Sequence, residues 1–268
     1  ALFDRVFQQP MPQAFWHWKY AHGRGANIIA WHKDEIVAHY GGLKRAIQLR
    51  GQPAWSWQIA DVMVASRERG VLTRQGAFFL TAAAFATLHI NPTLALSFGF
   101  PSERHTALGE RLGLYHRVDR ILALRWPPLS KSVGRYLKVL ARAEWPRWTT
   151  IVQGLWQRMA QSLPMAIVGV RDAAWLQHRY LEHPQHDYQL YLLGDWLPWR
   201  WQGLLVVRRE GDTLTLIDLV APLAAVGAVV QAARHLAAQQ GLQAVTAWVS
   251  SPFVSYFTEG AVLSDPQI

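Results

Sequence analysis

Cysteine is missing from all 268 positions, so the chain can form no disulfide, hold no metal through thiolate and offer no thiolate nucleophile. Long apolar runs are scarce as well. Gly76 to Ile90 and Leu219 to Ala233 are the longest, shorter than the roughly 18 residues of a membrane-spanning helix, and both read as buried core helices. Charge is thin, with 17% Asp, Glu, Lys and Arg against 51% hydrophobic residues, which excludes intrinsic disorder. No serine nucleophile elbow, Walker phosphate loop or Gly-x-Gly-x-x-Gly turn occurs, which disfavours the enzyme classes built on them. The histidines show no His-Glu-x-x-His spacing, and His183, His186 and Asp187 form only a loose loop cluster, so no metal is expected. A soluble, cytoplasmic protein is the expectation. Asp4 and Arg5 follow the first residue too closely for a signal peptide, and Ala1 in place of methionine suggests a trimmed chain.

What is present is basic and internally repetitive. The formal net charge is +9, carried mostly by arginine, whose planar fork suits phosphate and carboxylate. Nucleic acid, an anionic membrane surface and a phosphorylated cofactor all satisfy that charge. Phe15-Trp16-His17-Trp18-Lys19-Tyr20 resembles Trp175-Leu176-Gln177-His178-Arg179-Tyr180, each a helix end closing on a basic residue and a tyrosine. Paired strand-like runs follow in each half, Ala26 to Trp31 with Ile36 to Gln48, and Tyr188 to Leu193 with Trp201 to Arg208. Asp61-Val62-Met63-Val64 then matches Asp218-Leu219-Val220, and tyrosine and aspartate stand 41 and 38 residues apart in the two halves. An apolar helix comes next in both halves, Leu72 to His89 and Pro222 to Gln240, then a strand ending near proline, Thr93 to Phe100 and Ala244 to Val249. Gly113-Leu114-Tyr115 and Gly260-Ala261-Val262-Leu263 are predicted as closing strands. Five matches in one order predict a tandem repeat. The fold class expected is α/β with a mixed sheet: residues 1–126 and 148–268 as domains, 127–147 as a basic linker holding a helix over Ser130 to Ala143.

A parallel strand pair joined by a helix leaves both strand ends beside the helix N-terminus, where a ligand can enter. In the first copy that place carries Ser66-Arg67-Glu68-Arg69-Gly70-Val71-Leu72-Thr73-Arg74-Gln75-Gly76-Ala77. Glycine permits close backbone approach, the helix start is electropositive and three arginines add full charge, so a diphosphate fits here. The second copy has Ala221-Pro222-Leu223-Ala224-Ala225-Val226-Gly227 instead, a segment without a cation. Trp16, Trp18, Trp196, Trp199 and Trp201 fall in aromatic-rich spots that suit either a core or a broad acceptor cleft.

This strand, arginine- and glycine-bearing loop and helix resemble the acyl-CoA pyrophosphate loop of the GNAT N-acetyltransferase superfamily. Arg69-Gly70 and Gly76-Ala77 are the nearest match to its pattern, with Ser66 where proline is usual and the second glycine late. The resemblance implies two tandem GNAT-like domains, each with a largely antiparallel mixed sheet splayed at the acyl-CoA site. It implies an N-acyltransferase moving an acyl group from acetyl-CoA or another acyl-CoA to a small-molecule or peptide amine, with no metal and no DNA partner. Backbone groups of Val62, Met63 and Val64 would hold pantetheine and thioester, and Arg69, Gly70, Val71, Thr73, Arg74, Gly76 and Ala77 the pyrophosphate. For proton transfer the sequence offers Asp61, His105 and Tyr115, with Glu35, His39 and Tyr40 on the neighbouring hairpin; His105 is expected as base and Tyr115 as thiolate acid. Fem-type aminoacyl transfer from charged tRNA, and a catalytically silent binding protein, are the alternatives.

Overall fold

Two short reversals set the register of the amino-terminal sheet. Lys33 and Asp34 both take positive φ (46° and 64°), as do Arg50 and Gly51 (49° and 79°), the geometry of two-residue hairpin turns that match strand twist. The computed structural model describes residues 1–90, 96–130, 136–195 and 200–264, and the chain divides into two units, Ala1–Val118 and Asp119–Ile268.

The first unit opens with helices α1 (Leu2–Phe7) and α2 (Gln13–Tyr20). Strands β1 (Gly25–His32), β2 (Glu35–Leu49) and β3 (Gln52–Val64) form an antiparallel meander. Helix α3 (Ala77–His89) leads to β4 (Leu96–Phe98), parallel to β3, and α4 (Glu103–Leu112) ends on left-handed Gly113. Phe85 of α3 is fully buried against Tyr40 and Trp57, which contributes about 1.5–3 kcal/mol. Gly42 lies beneath that ring: a Cβ there would meet Phe85 at 2.3 Å, so β2 and α3 approach as only glycine allows.

The second unit runs β5 (Ile121–Trp126), β6 (Tyr136–Val139), α5 (Trp145–Gln161), β7 (Ile167–Gly169) and α6 (Ala173–Leu176), which continues as a π-turn over Gln177–Leu181. Then come β8 (Gln189–Gly194), β9 (Trp201–Glu210), β10 (Thr213–Val220), α7 (Val226–Gln239), β11 (Ala244–Ser250) and β12 (Val262–Ser264). Seven strands join in the order β12-β5-β11-β10-β9-β8-β6, with β10 and β11 the parallel pair. Gly203 to Val207 of β9 are all buried, as expected of a strand covered on both faces, and α5 and α7 both pack on it.

The paired strands and core helices follow the expected order in both units. Three expectations are corrected. The division falls at Val118/Asp119 and not after Trp126, because β5 hydrogen-bonds between β11 and β12 and fully buries Trp126 in the second unit's core. Residues 127–147 are not a plain linker with a helix, since Tyr136–Val139 forms β6 against β8; residues 131–135 lie outside the described residues. Gly113-Leu114-Tyr115 is a helix end rather than a strand. The start of the Thr93 to Phe100 strand, and Trp196 and Trp199, also lie outside the described residues.

Candidate functional site

Asp61 breaks the regularity of β3. It takes φ 53°, and the β2–β3 register slips there, from His39 opposite Met63 to Gly41 opposite Ala60. Such a bulge re-aims the strand beyond it. Ala65 N–H donates to Val37 C=O at 2.7 Å, so by antiparallel alternation Met63 also bonds toward β2. The backbone groups of Val62 and Val64 therefore point to the opposite edge. On that edge, among the described residues, β4 pairs with β3 from Ser56 to Gln58 and not beyond. The three residues expected to hold a thioester thus divide: Val62 and Val64 face the splayed edge, while Met63 faces β2 with its side chain buried.

The bulge is held from several sides. Lys19 Nζ and Tyr20 OH each donate to Asp61 Oδ2 at 2.5 Å, and His39 Nδ1 lies 2.7 Å from the Asp61 carbonyl. Burial, with Asp61 adding, holds the Tyr20 hydroxyl well above the usual phenol range; burial holds His39 below the usual imidazole range. The carboxylate offered for proton transfer is thus an anchor between Lys19 and Tyr20. The second unit repeats the arrangement: Tyr180 OH donates to Asp218 Oδ2 at 2.8 Å and Arg171 Nε to Oδ1 at 2.7 Å. The tyrosine–aspartate spacing visible in the sequence is a hydrogen bond in each unit.

Past β3 a 3₁₀ turn (Ser66–Glu68) opens the arginine loop, which is exposed from Arg69 to Gln75. Arg69 Nε donates to Val64 C=O at 2.8 Å, tying the loop back to the strand. Arg67 is committed to carboxylates, Glu35 at 2.7 Å and Glu68 at 3.6 Å. Of the three arginines, Arg69 and Arg74 remain for an anion, Arg74 lying over the Phe79 ring at 5.8 Å. Gly76 closes the loop: its N–H donates to Thr73 C=O at 3.0 Å, and a Cβ there would sit 2.0 Å from the Val71 carbonyl oxygen. Ala77 begins α3, whose first amides have no partner within the helix and carry its positive end.

His105 and Tyr115 meet each other rather than Asp61. Tyr115 OH donates to the His105 carbonyl at 2.6 Å, its ring against Gly109, and burial followed by Glu110 raises its hydroxyl. The exposed His105 imidazole stands 3.0 Å from Ser102 Oγ. Tyr40 is pushed up to about 12 by burial, with Tyr115 adding. Glu35 is held below the usual carboxylate range by Arg5 and Arg67.

In the second unit an open cleft of about 640 Å³ lies where α5, β9 and the approach to α7 meet, lined by Arg158, Arg200, Trp201, Pro222 and Ala225. Its cations come from α5 and the start of β9, which no reading of residues 221–227 reveals. Among the described residues no group of three or more His, Asp or Glu could hold a metal, and no helix is long and apolar enough to cross a membrane.

Residues 1–116 match the sequence profile described as an acetyltransferase (GNAT) domain. A conserved protein of Enterococcus faecalis V583, described as a probable N-acyltransferase, superposes with TM-score 0.74 at 13% identity, covering 98% of this chain and 66% of its own. A GCN5-related N-acetyltransferase of Anabaena variabilis gives 0.71 at 18% identity with the same coverages. Saccharomyces cerevisiae N-myristoyltransferase with bound myristoyl-CoA gives 0.51 at 9% identity, over 81% of this chain and 61% of its own. No curated protein matches by sequence. The chain thus spans about two thirds of the length of the solved structures it matches, and the superpositions run through both units. Its fold is the GNAT fold, as the resemblance implied.

Proposed function

We propose that the chain is an acyl-CoA-dependent N-acyltransferase with one acyl-CoA site, in the first unit. The observation that carries this is the left-handed bulge at Asp61 immediately before a glycine-closed arginine loop and a helix start. It supplies backbone groups for a thioester on one side and amides with Arg69 and Arg74 for a diphosphate on the other. The profile match over residues 1–116 and the myristoyl-CoA held by a protein of the same fold support acyl-CoA as the co-substrate class.

In this reaction a neutral amine attacks the thioester carbon, the N–C bond forms, the C–S bond breaks and the thiolate takes a proton. An N–H of the bulged strand stabilises the oxyanion. Tyr115 is the proposed acid, since its raised hydroxyl keeps its proton at neutral pH, and His105 the proposed base. The acceptor is a small-molecule or peptide amine, and we place the reaction in the reducing cytoplasm, where a chain without cysteine loses nothing.

Calorimetric titration with acetyl-CoA tests the reading. One site per chain is expected, weakened by Arg69→Ala and Arg74→Ala and untouched by Arg158→Ala with Arg200→Ala. Two equal sites, or loss only in the second pair, refutes it. Unchanged turnover in both His105→Ala and Tyr115→Phe removes those two roles.

A further inference from the structure

The two units provide an internal control on what packing alone requires. His39 pairs with Met63, two residues beyond Asp61; its counterpart Leu204 pairs with Val220, two residues beyond Asp218. Both positions are buried, at 5% and 0% exposure, so an apolar side chain serves the core at this place. Histidine there carries a cost that leucine does not: Nε2 is buried with no hydrogen-bond partner among the described residues. Only the other nitrogen is used. A carbonyl can only accept, so the 2.7 Å contact with the Asp61 oxygen puts the proton on Nδ1. The backbone differs in step. Asp61 is left-handed, whereas no residue of β10 takes positive φ, although both strands slip register nearby. A strained backbone persists only where its surroundings over-determine it. The unit with the imidazole tether is also the unit with the arginine loop.

We infer that His39 is a positioning residue for acyl transfer: its Nδ1–H locks the left-handed bulge that turns Val62 and Val64 toward the splayed edge. The inference rests on the acyl-CoA reading for its effect on rate, but the tether itself does not. Leu204 cannot make this bond, which accounts for a second unit that keeps the tyrosine–aspartate anchor without the left-handed turn.

The groups facing His39 are Lys19, Tyr20 and the aromatic Trp16 from α2, and Asp61 from β3. Protonation would place a second N–H, on Nε2, where no acceptor stands, with Lys19 opposing the new charge. The tether therefore works in the neutral form; because burial holds His39 below the ordinary imidazole value of about 6.5, it persists through that pH and weakens only further into the acid range.

Three substitutions separate the two nitrogens. His39→Leu installs the other unit's residue, His39→Asn keeps a donor where Nδ1 stands, and His39→Gln keeps one only where Nε2 stands. The full chain is assayed by thiol release from acetyl-CoA with hydroxylamine as acceptor, by CoA titration, by ¹⁵N imidazole shifts and by amide exchange of Met63 and Ala65, whose N–H groups face β2. The wild type is expected to show the Nδ1–H tautomer. His39→Leu is expected to lose about 100-fold in rate, the cost of about 1 Å of misplacement. Its CoA affinity falls less than its rate, since the cations and amides of the arginine loop still hold the diphosphate. Exchange at Met63 and Ala65 quickens, and His39→Asn recovers both rate and protection while His39→Gln recovers neither. An Nε2–H tautomer in the wild type, or wild-type rate and protection in His39→Leu, overturns the inference. If His39→Leu does not fold, equal behaviour of the Asn and Gln variants does so. A wild type that binds no CoA sinks the acyl-CoA reading instead, and the tautomer and exchange still decide the tether.

Discussion

Gly76→Ala, set beside Gly70→Ala, asks whether the arginine loop is a built cradle or merely a polar turn. A Cβ at Gly76 would meet the Val71 carbonyl oxygen at 2.0 Å and its carbon at 3.1 Å, both backbone atoms. Real contacts are essentially never under 3.0 Å, so the loop would have to open by an ångström or more. Forcing such overpacking costs about 1–3 kcal/mol, read as a lower urea midpoint. Function should suffer more. Displacing the loop removes at least one charge-assisted bond to a diphosphate, about 1.5–3 kcal/mol, which is about 10- to 100-fold in the acetyl-CoA dissociation constant. Gly70 has nothing within 4 Å of its added Cβ and no positive φ. Alanine there should shift stability by no more than about 0.5 kcal/mol and spare affinity. If Gly76→Ala binds acetyl-CoA as tightly as Gly70→Ala, the cradle does not exist as described.

Tyr20→Phe and Tyr180→Phe each remove a hydroxyl donor to a carboxylate, and each should lower unfolding free energy by about 1.5–3 kcal/mol at neutral pH; equal stability of either variant and wild type refutes the anchor in that unit. Arg67→Ala should leave acetyl-CoA affinity within about twofold, because that guanidinium is spent on exposed pairs with Glu35 and Glu68. His183 is pushed down to about 4 by burial and then by Arg179 and neighbouring cations. A histidine kept neutral by folding binds its proton more readily when unfolded, so the stability it contributes is present above about pH 6.5 and lost toward pH 4; thermal melts across that window should show a shallower acid decline in His183→Ala. A fragment of residues 119–268 should unfold cooperatively, whereas 127–268 should not, because the latter leaves β11 and β12 without the strand between them.

The parts of the fold legible in the sequence are those written locally. The strand-like run of β2 and the apolar runs of α3 and α7 are visible because near-neighbour physics dictates them, and the tyrosine–aspartate spacing because it recurs in both halves. What was not legible depends on register and distant partners. Ile121–Trp126 falls at the end of the first domain when the sequence is read alone, and nothing in its six residues says that its hydrogen bonds lie with residues more than a hundred positions later. Arg67 reads as a phosphate ligand until the hairpin brings Glu35 beside it. His39 is only one of several polar residues on a strand until the bulge sets the Asp61 carbonyl against its ring.

The place of β5 governs how this molecule is born. It is the earliest strand of its sheet to be synthesised, yet its partners are the last two, Trp126 opposite Val245 and Leu124 opposite Leu263. The second unit must wait with Trp126 uncovered until β11 and β12 emerge. Pairings of such long sequence separation fold slowly and expose apolar surface while they do. Refolding should therefore show a fast phase from the first unit and a slower, aggregation-prone phase from the second.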